Sequence, residues 1–209
     1  MSVALSGPSA HRLIEWGVAA RARAGEVESG DCHVVREFPG GVLMAAVDGL
    51  GHGQEAASAA HLAAALIEQH AHEDPVVLVQ RCHETLAGGR GAVMSVASLE
   101  GRTGLLRWIG VGNVEAVLLR SVAAGRRQER LLLRGGIVGH RLPHLESSAV
   151  PVFPEDVLVL ATDGISAGFA EQLGTGQDPE KIASRVLAEH GRTTDDALVL
   201  VARFARRSS

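Results

Sequence analysis

The sequence predicts an α+β fold, and three observations carry that expectation. Strand-like and helical runs come in groups rather than alternating one for one, which argues against a repeating βαβ chain. Aromatics are only 3% of the 209 residues and Tyr is absent, so the core must be built from Val, Leu, Ile and Ala. The 25 glycines point to several tight turns or close backbone approaches between these runs.

Taken in order, residues 13–22 and 27–38 read as strands divided by a turn at Gly25. Pro39-Gly40-Gly41 is a turn signal, and residues 42–47 form a short apolar strand ending in Asp48. A Gly-rich corner follows, Gly49-Leu50-Gly51-His52-Gly53. Ala59, Leu62, Ala63, Leu66 and Ile67 then fall at helical spacing, predicting an amphipathic helix from Gln54 to His70. Asp74-Pro75 offers an N-cap acceptor and then Pro at the first helical position, so a second helix starts there. It turns Val79, Cys82 and Leu86 inward and stops at Gly88-Gly89. Residues 92–99, 105–110, 114–120 and 130–133 read as four short strands of an antiparallel meander, and 157–160 as another strand. Asp178-Pro179-Glu180 opens a third helix with Ile182, Ala183, Val186 and Leu187 on one face and Gly191 as its stop. Residues 197–204 are a final strand and 205–209 a basic tail. No repeat, linker or composition break divides the chain, so residues 1–209 are expected to form a single domain.

Charge and composition exclude several functions. There are 20 Lys and Arg against 24 Asp and Glu, a net −4, so no basic surplus suits nucleic acid or an anionic membrane. Few aromatics leave little for base stacking. The two cysteines, Cys32 and Cys82, lie outside any CxxC pair, which fits a reducing cytoplasm better than a disulfide scaffold. Residues 1–23 include Glu15 and no apolar core of a signal peptide, and the longest apolar runs are strand-sized. A cytoplasmic location is the expectation.

Acidic residues stand at strand ends: Val47-Asp48-Gly49, Thr162-Asp163-Gly164 and Thr194-Asp195-Asp196, with Gly30-Asp31 as a fourth case. Each alone is an ordinary turn or strand start. Together, on neighbouring strands, they would crowd carboxylates that repel and desolvate unfavourably unless cations balance them. Hard oxygen ligands without a Cys or His pair suit Mg²⁺ or Mn²⁺ rather than Zn²⁺. The glycine after Asp48 would let the backbone turn and offer its carbonyl as well. A nucleotide-binding loop at Gly49–Gly53 fits poorly, because no Lys-Ser or Lys-Thr follows and a Rossmann turn would not open with a carboxylate. Gly110-Val111-Gly112 sits among strands and reads as a turn. His61, His70, His72, His83, His140 and His144 contain no HExxH pair and are assigned to the surface. Arg126-Arg127 and Arg206-Arg207 read as solvated charges.

The segment Val47-Asp48-Gly49-Leu50-Gly51-His52-Gly53 resembles the signature of metal-dependent PP2C-type protein phosphatases, in the bacterial branch of the SpoIIE, RsbU and RsbX proteins. The order of other motifs is similar too: Glu28-Ser29-Gly30-Asp31 upstream, Gly110-Val111-Gly112-Asn113-Val114 in mid-chain, then Ala161-Thr162-Asp163-Gly164-Ile165 and Asp195-Asp196-Ala197-Leu198. The likeness spans residues 31–204. It implies a four-layer αββα sandwich, two central antiparallel sheets flanked by helix pairs, with two Mn²⁺ or Mg²⁺ ions at one edge. By position, Asp48 would bridge both ions and Gly49 would offer its carbonyl. Asp163 and Asp195 would bind from the other sheet, and Asp31 would hold water or the second ion. Asp196 is the less directly aligned metal candidate. Asp48 and His52 are the implied catalytic residues. Many relatives carry His directly after the Asp-Gly pair, where this chain has Leu50; His52 either replaces it as general acid or caps the helix at Gln54. The phosphate-anchoring position falls at Glu26, so Arg21 or Arg23 would have to reach in.

The implied activity is hydrolysis of phosphoserine or phosphothreonine by water activated between the two ions, with no covalent intermediate. A phosphatase domain standing alone at this length resembles the RsbX members. That implies substrates among phosphorylated STAS-domain proteins (RsbS- or RsbR-like) of a stressosome or partner-switching module, opposed by an RsbT-like kinase. The alternative is a phosphatase fold that binds a signalling partner with little or no turnover. Oligomeric state stays open.

Overall fold

The computed structural model describes residues 13–121 and 128–205. Arg126-Arg127 and the tail from residue 206 lie outside the described residues. In chain order the elements are β1 (Ile14–Arg21), β2 (Asp31–Phe38), β3 (Gly41–Gly49), α1 (Gln54–Gln69), α2 (Pro75–Leu86), β4 (Ala92–Glu100), β5 (Leu105–Val111), β6 (Glu115–Leu119), β7 (Gln128–Arg130), β8 (Ser148–Pro151), β9 (Val157–Ala161), α3 (Pro179–His190) and β10 (Ala197–Phe204). They build two antiparallel five-stranded sheets, ordered β1-β10-β9-β6-β7 and β2-β3-β4-β5-β8. Among the described residues no helix is long and apolar enough to cross a membrane.

Strand alternation explains the layers. On β3, Val42, Met44 and Ala46 enter the core between the sheets, while Leu43, Ala45 and Val47 pack under α1 and α2. On β10, Leu198, Leu200 and Ala202 face the same inter-sheet core, and Val199 and Val201 face α3. Strands covered on both faces need apolar residues at every position, which is why residues 42–47 and 197–202 read as unbroken runs. Each buried Val, Leu or Met among them contributes about 1.5–3 kcal/mol.

The helices follow from local chemistry. α1 buries Ala56, Ala57, Ala59, Ala60, Ala63 and Ile67, a small-residue face that lets it approach the sheet closely. The Asp74 carboxylate accepts from Val76 N at 2.8 Å, and that of Asp178 from Glu180 N at 3.0 Å, each with Pro at the first helical position. Such a cap is worth about 1 kcal/mol.

Four expectations need correcting. The predicted meander divides between the sheets: β4 and β5 lie in one, β6 and β7 in the other. The chain crosses at Gly112, whose φ of +94° and contact with the Val93 side chain leave no room for a Cβ. Apolar periodicity carries no label for which sheet a strand joins. The strand expected at 130–133 is β7, residues 128–130, and the following segment is held by isolated bridges such as Ala92 to Val138. β8, with an exposed and half-exposed pattern and Pro151 in it, has no apolar alternation to reveal it. Residues 27–30 are a bent, irregular segment, not the start of a strand. Finally, among the described residues only one face carries a helix pair. Among the described residues the other is covered by α3 and by Ile165, Phe169, Ala170 and Leu173 of the preceding loop.

Candidate active site

The acidic residues come from both sheets. Asp31 opens β2 and Asp48 lies opposite it near the end of β3, the two being cross-strand partners. Asp163 follows β9, and Asp195 and Asp196 lead into its neighbour β10. Two polar links join the sheets here. Thr162 Oγ1 donates to Asp31 Oδ2 at 2.7 Å and accepts from Leu198 N at 2.9 Å. Asp196, only 4% exposed, accepts from Gly30 N at 2.9 Å with one oxygen and from Arg23 N at 2.8 Å with the other.

Both Asp-Gly pairs have a reason other than the turn that their sequence suggests. Neither Gly49 nor Gly164 has positive φ. A Cβ on Gly49 would collide with the carbonyl of Ala56 in α1, and one on Gly164 with the carbonyl of Asp196. Glycine at these places lets backbone touch backbone, which brings α1 onto the end of β3 and the β10 lead-in against the residue after Asp163. Gly49 N also donates to Gly30 O at 2.9 Å, fixing the Asp31 turn beside Asp48.

Electrostatics shows the convergence most directly. Burial pushes the Asp48 carboxyl up to about 8, with the charges of Asp31, Asp163, Asp195 and Asp196 adding to the rise. Burial likewise lifts Asp31 to about 7; the Thr162 hydrogen bond opposes this, and the charges of Asp196, Asp163 and Asp195 add to it. Asp163 is raised by burial and by Asp195, against the Asn113 hydrogen bond and the charge of Arg192. These carboxylates, remote in sequence, form one mutually repelling set. Among the described residues no three His, Cys, Asp or Glu side chains already close on a common point as an ion's ligands would. Oxygen-only donors with excess negative charge fit a hard divalent ion.

The other candidates are placed as follows. His52, 52% exposed, holds Glu26 Oε1 at 2.8 Å through Nδ1. It does not cap α1, whose N-cap is Gly53 with no side-chain cap bond. Glu26 is thereby committed to His52, and the Arg21 guanidinium lies against Gly191, beyond the end of α3. Arg192 is the cation whose charge acts on Asp163, and its N–H donates to Gly164 O at 2.8 Å. His83 and His140 make ordinary bonds to Gly139 N and Arg90 O, and His61 and His72 are exposed. Two residues with direct contacts to the acidic set carry no role in the sequence reading. Thr162 is quoted there only as part of a strand-end motif, and Asn113, which donates to Asp163 Oδ2 at 2.7 Å, only as part of a turn.

Comparisons with known proteins bear on the family and the fold. The family profile of Stage II sporulation protein E (SpoIIE) matches residues 39–205. Phosphoserine phosphatase RsbX of Bacillus subtilis (strain 168) is 22% identical over 185 residues, covering 88% of this chain and 91% of that protein. A solved chain from the bacterial stressosome, described as a modular system adapted to control secondary messenger signaling, is 33% identical. It covers 91% of this chain and 99% of that one, with a TM-score of 0.82. RsbX in complex with magnesium superposes with a TM-score of 0.83 at 21% identity, covering 92% of this chain and 96% of that one. With a sandwich of this topology, paired Asp-Gly strand ends and a family match over most of its length, the chain belongs to the SpoIIE family of PP2C-type protein phosphatases.

Proposed function

We propose that this chain hydrolyses phosphoserine or phosphothreonine on STAS-domain proteins of a stressosome or partner-switching module, using two divalent ions, Mn²⁺ or Mg²⁺. The observation that carries the reading is the electrostatic coupling of Asp31, Asp48, Asp163 and Asp195 across two sheets, a charge set that cations would balance. When bound, the ions supply the positive charge that makes water nucleophilic near neutral pH and offset the phosphoryl oxygens. Asp48, on which the charges of the other four aspartates act, would hold both ions, with the Gly49 carbonyl beside it. Asp163 and Asp195 would hold them from the second sheet, and Asp31 would orient water. Asp196, whose two oxygens accept Arg23 N and Gly30 N, would brace the Gly30 segment beside the ions. His52 would protonate the leaving serine oxygen from Nε2 in its imidazolium form, with Nδ1–H held by Glu26 Oε1.

Similarity to phosphoserine phosphatase RsbX and to the stressosome chain supports this substrate class. A cytoplasmic location and a single phosphatase domain over residues 1–209 belong to the same reading. The test is phosphate release from a phosphoserine STAS-domain protein across an Mn²⁺ and Mg²⁺ series. Release that requires the metal and stops with chelator is expected. No release at saturating metal, with the partner still bound, would instead establish a binding module.

A further inference from the structure

We propose that Asn113 is a positioning residue for the ion site, holding one oxygen of Asp163 so that the other faces the ions. The proposal rests on Asp163 being an ion ligand. An ionised carboxylate only accepts hydrogen bonds, so the nitrogen end of the Asn113 amide must face it, and the contact is 2.7 Å. The turn that carries Asn113 is pinned on both sides. Gly112 N donates to Arg134 O at 2.9 Å and Arg134 N to Gly110 O at 3.2 Å. Beyond it, the buried Ser95 hydroxyl donates to Val114 O at 2.6 Å. An exposed side chain is thus mounted on a fixed piece of backbone, where the chain passes from β5 to β6 and so from one sheet to the other.

The chemistry of the amide suits this task. Lys or Arg at 113 would neutralise Asp163 and compete with the ions, whereas an uncharged donor orients the carboxylate and leaves its charge available. Thr162 treats Asp31 in the same way, committing Oδ2 to a neutral donor. Outer-shell partners of this kind typically change metal affinity 10–100-fold.

The test is Asn113→Ala, compared with wild type by titrating metal-free protein with Mn²⁺ and reading free Mn²⁺ by electron paramagnetic resonance. The expected result is an Mn²⁺ dissociation constant raised about 10-fold or more. The Mn²⁺ needed for half-maximal phosphate release should rise in parallel, while kcat at saturating Mn²⁺ and the melting temperature of the metal-free chain are kept. Identical binding curves beside a wild type that binds Mn²⁺ would overturn the role of Asn113 alone. Lost kcat with unchanged Mn²⁺ affinity would also overturn it. A wild type that takes up no Mn²⁺ would overturn the ion site and the proposal together.

Discussion

Replacing Asp48 with Asn is expected to lower metal-dependent phosphate release by about three orders of magnitude, with the chain still folded. Asp48 feels the charge of every other member of the acidic set, so its removal weakens the hold on both ions. Ion-derived stabilisation of the transition state amounts to several kcal/mol, and about 4 kcal/mol corresponds to a thousandfold loss. Asn keeps the volume of Asp and removes one of several repelling charges, so the metal-free variant should melt no lower than wild type, and higher at alkaline pH. Asp163→Asn should act in the same direction on turnover. Phosphate release at saturating Mn²⁺, with melting curves alongside, checks both. A variant of Asp48 within about tenfold of wild type would remove it from the centre of the mechanism.

The metal-free protein should lose thermal stability as pH rises from 5 to 8. Asp31 and Asp48 titrate near 7 and 8 in the folded chain, against an ordinary value of 3.8. Between those limits the folded state binds protons that the unfolded state has released, so stability falls with rising pH. The contribution is complete below the unfolded pKa, wanes through the folded ones and is gone above them. Since Asp31 and Asp48 sit opposite one another, the two protons leave as a coupled pair. Mn²⁺ should reverse the loss, and raise the melting temperature more at pH 8 than at pH 5, because binding must displace protons at the lower pH. Differential scanning fluorimetry with and without Mn²⁺ measures this. A metal-free melting temperature that is flat or rises over the range would contradict the crowding of carboxylates.

Where an element's residues speak for themselves, the sequence was legible. β10 spans 197–204 as its apolar run implies, and the Asp-Pro pairs at 74–75 and 178–179 start α2 and α3. What escaped depends on tertiary partners. A run such as 114–120 has the same composition whichever sheet receives it, and the crossing is settled by Gly112 meeting Val93. Gly49 and Gly164 read as turn glycines, but their necessity lies in the backbone of Ala56 and Asp196, which local sequence does not display. Thr162 and Asn113 touch carboxylates 131 and 50 positions away, so nothing beside them announces the contact. Asp195 and Asp196 are adjacent in sequence, yet only the folded chain shows that Asp196 accepts from Arg23 N and Gly30 N with its two oxygens, while Asp195 Oδ1 accepts from Asp196 N.

Counting bound ions gives the sharpest test. Equilibrium dialysis of the purified chain against Mn²⁺, followed by elemental analysis, should find two ions per protein molecule, and fewer in Asp48→Asn. Uptake that is absent in wild type, or unaltered by losing Asp48, would contradict the account.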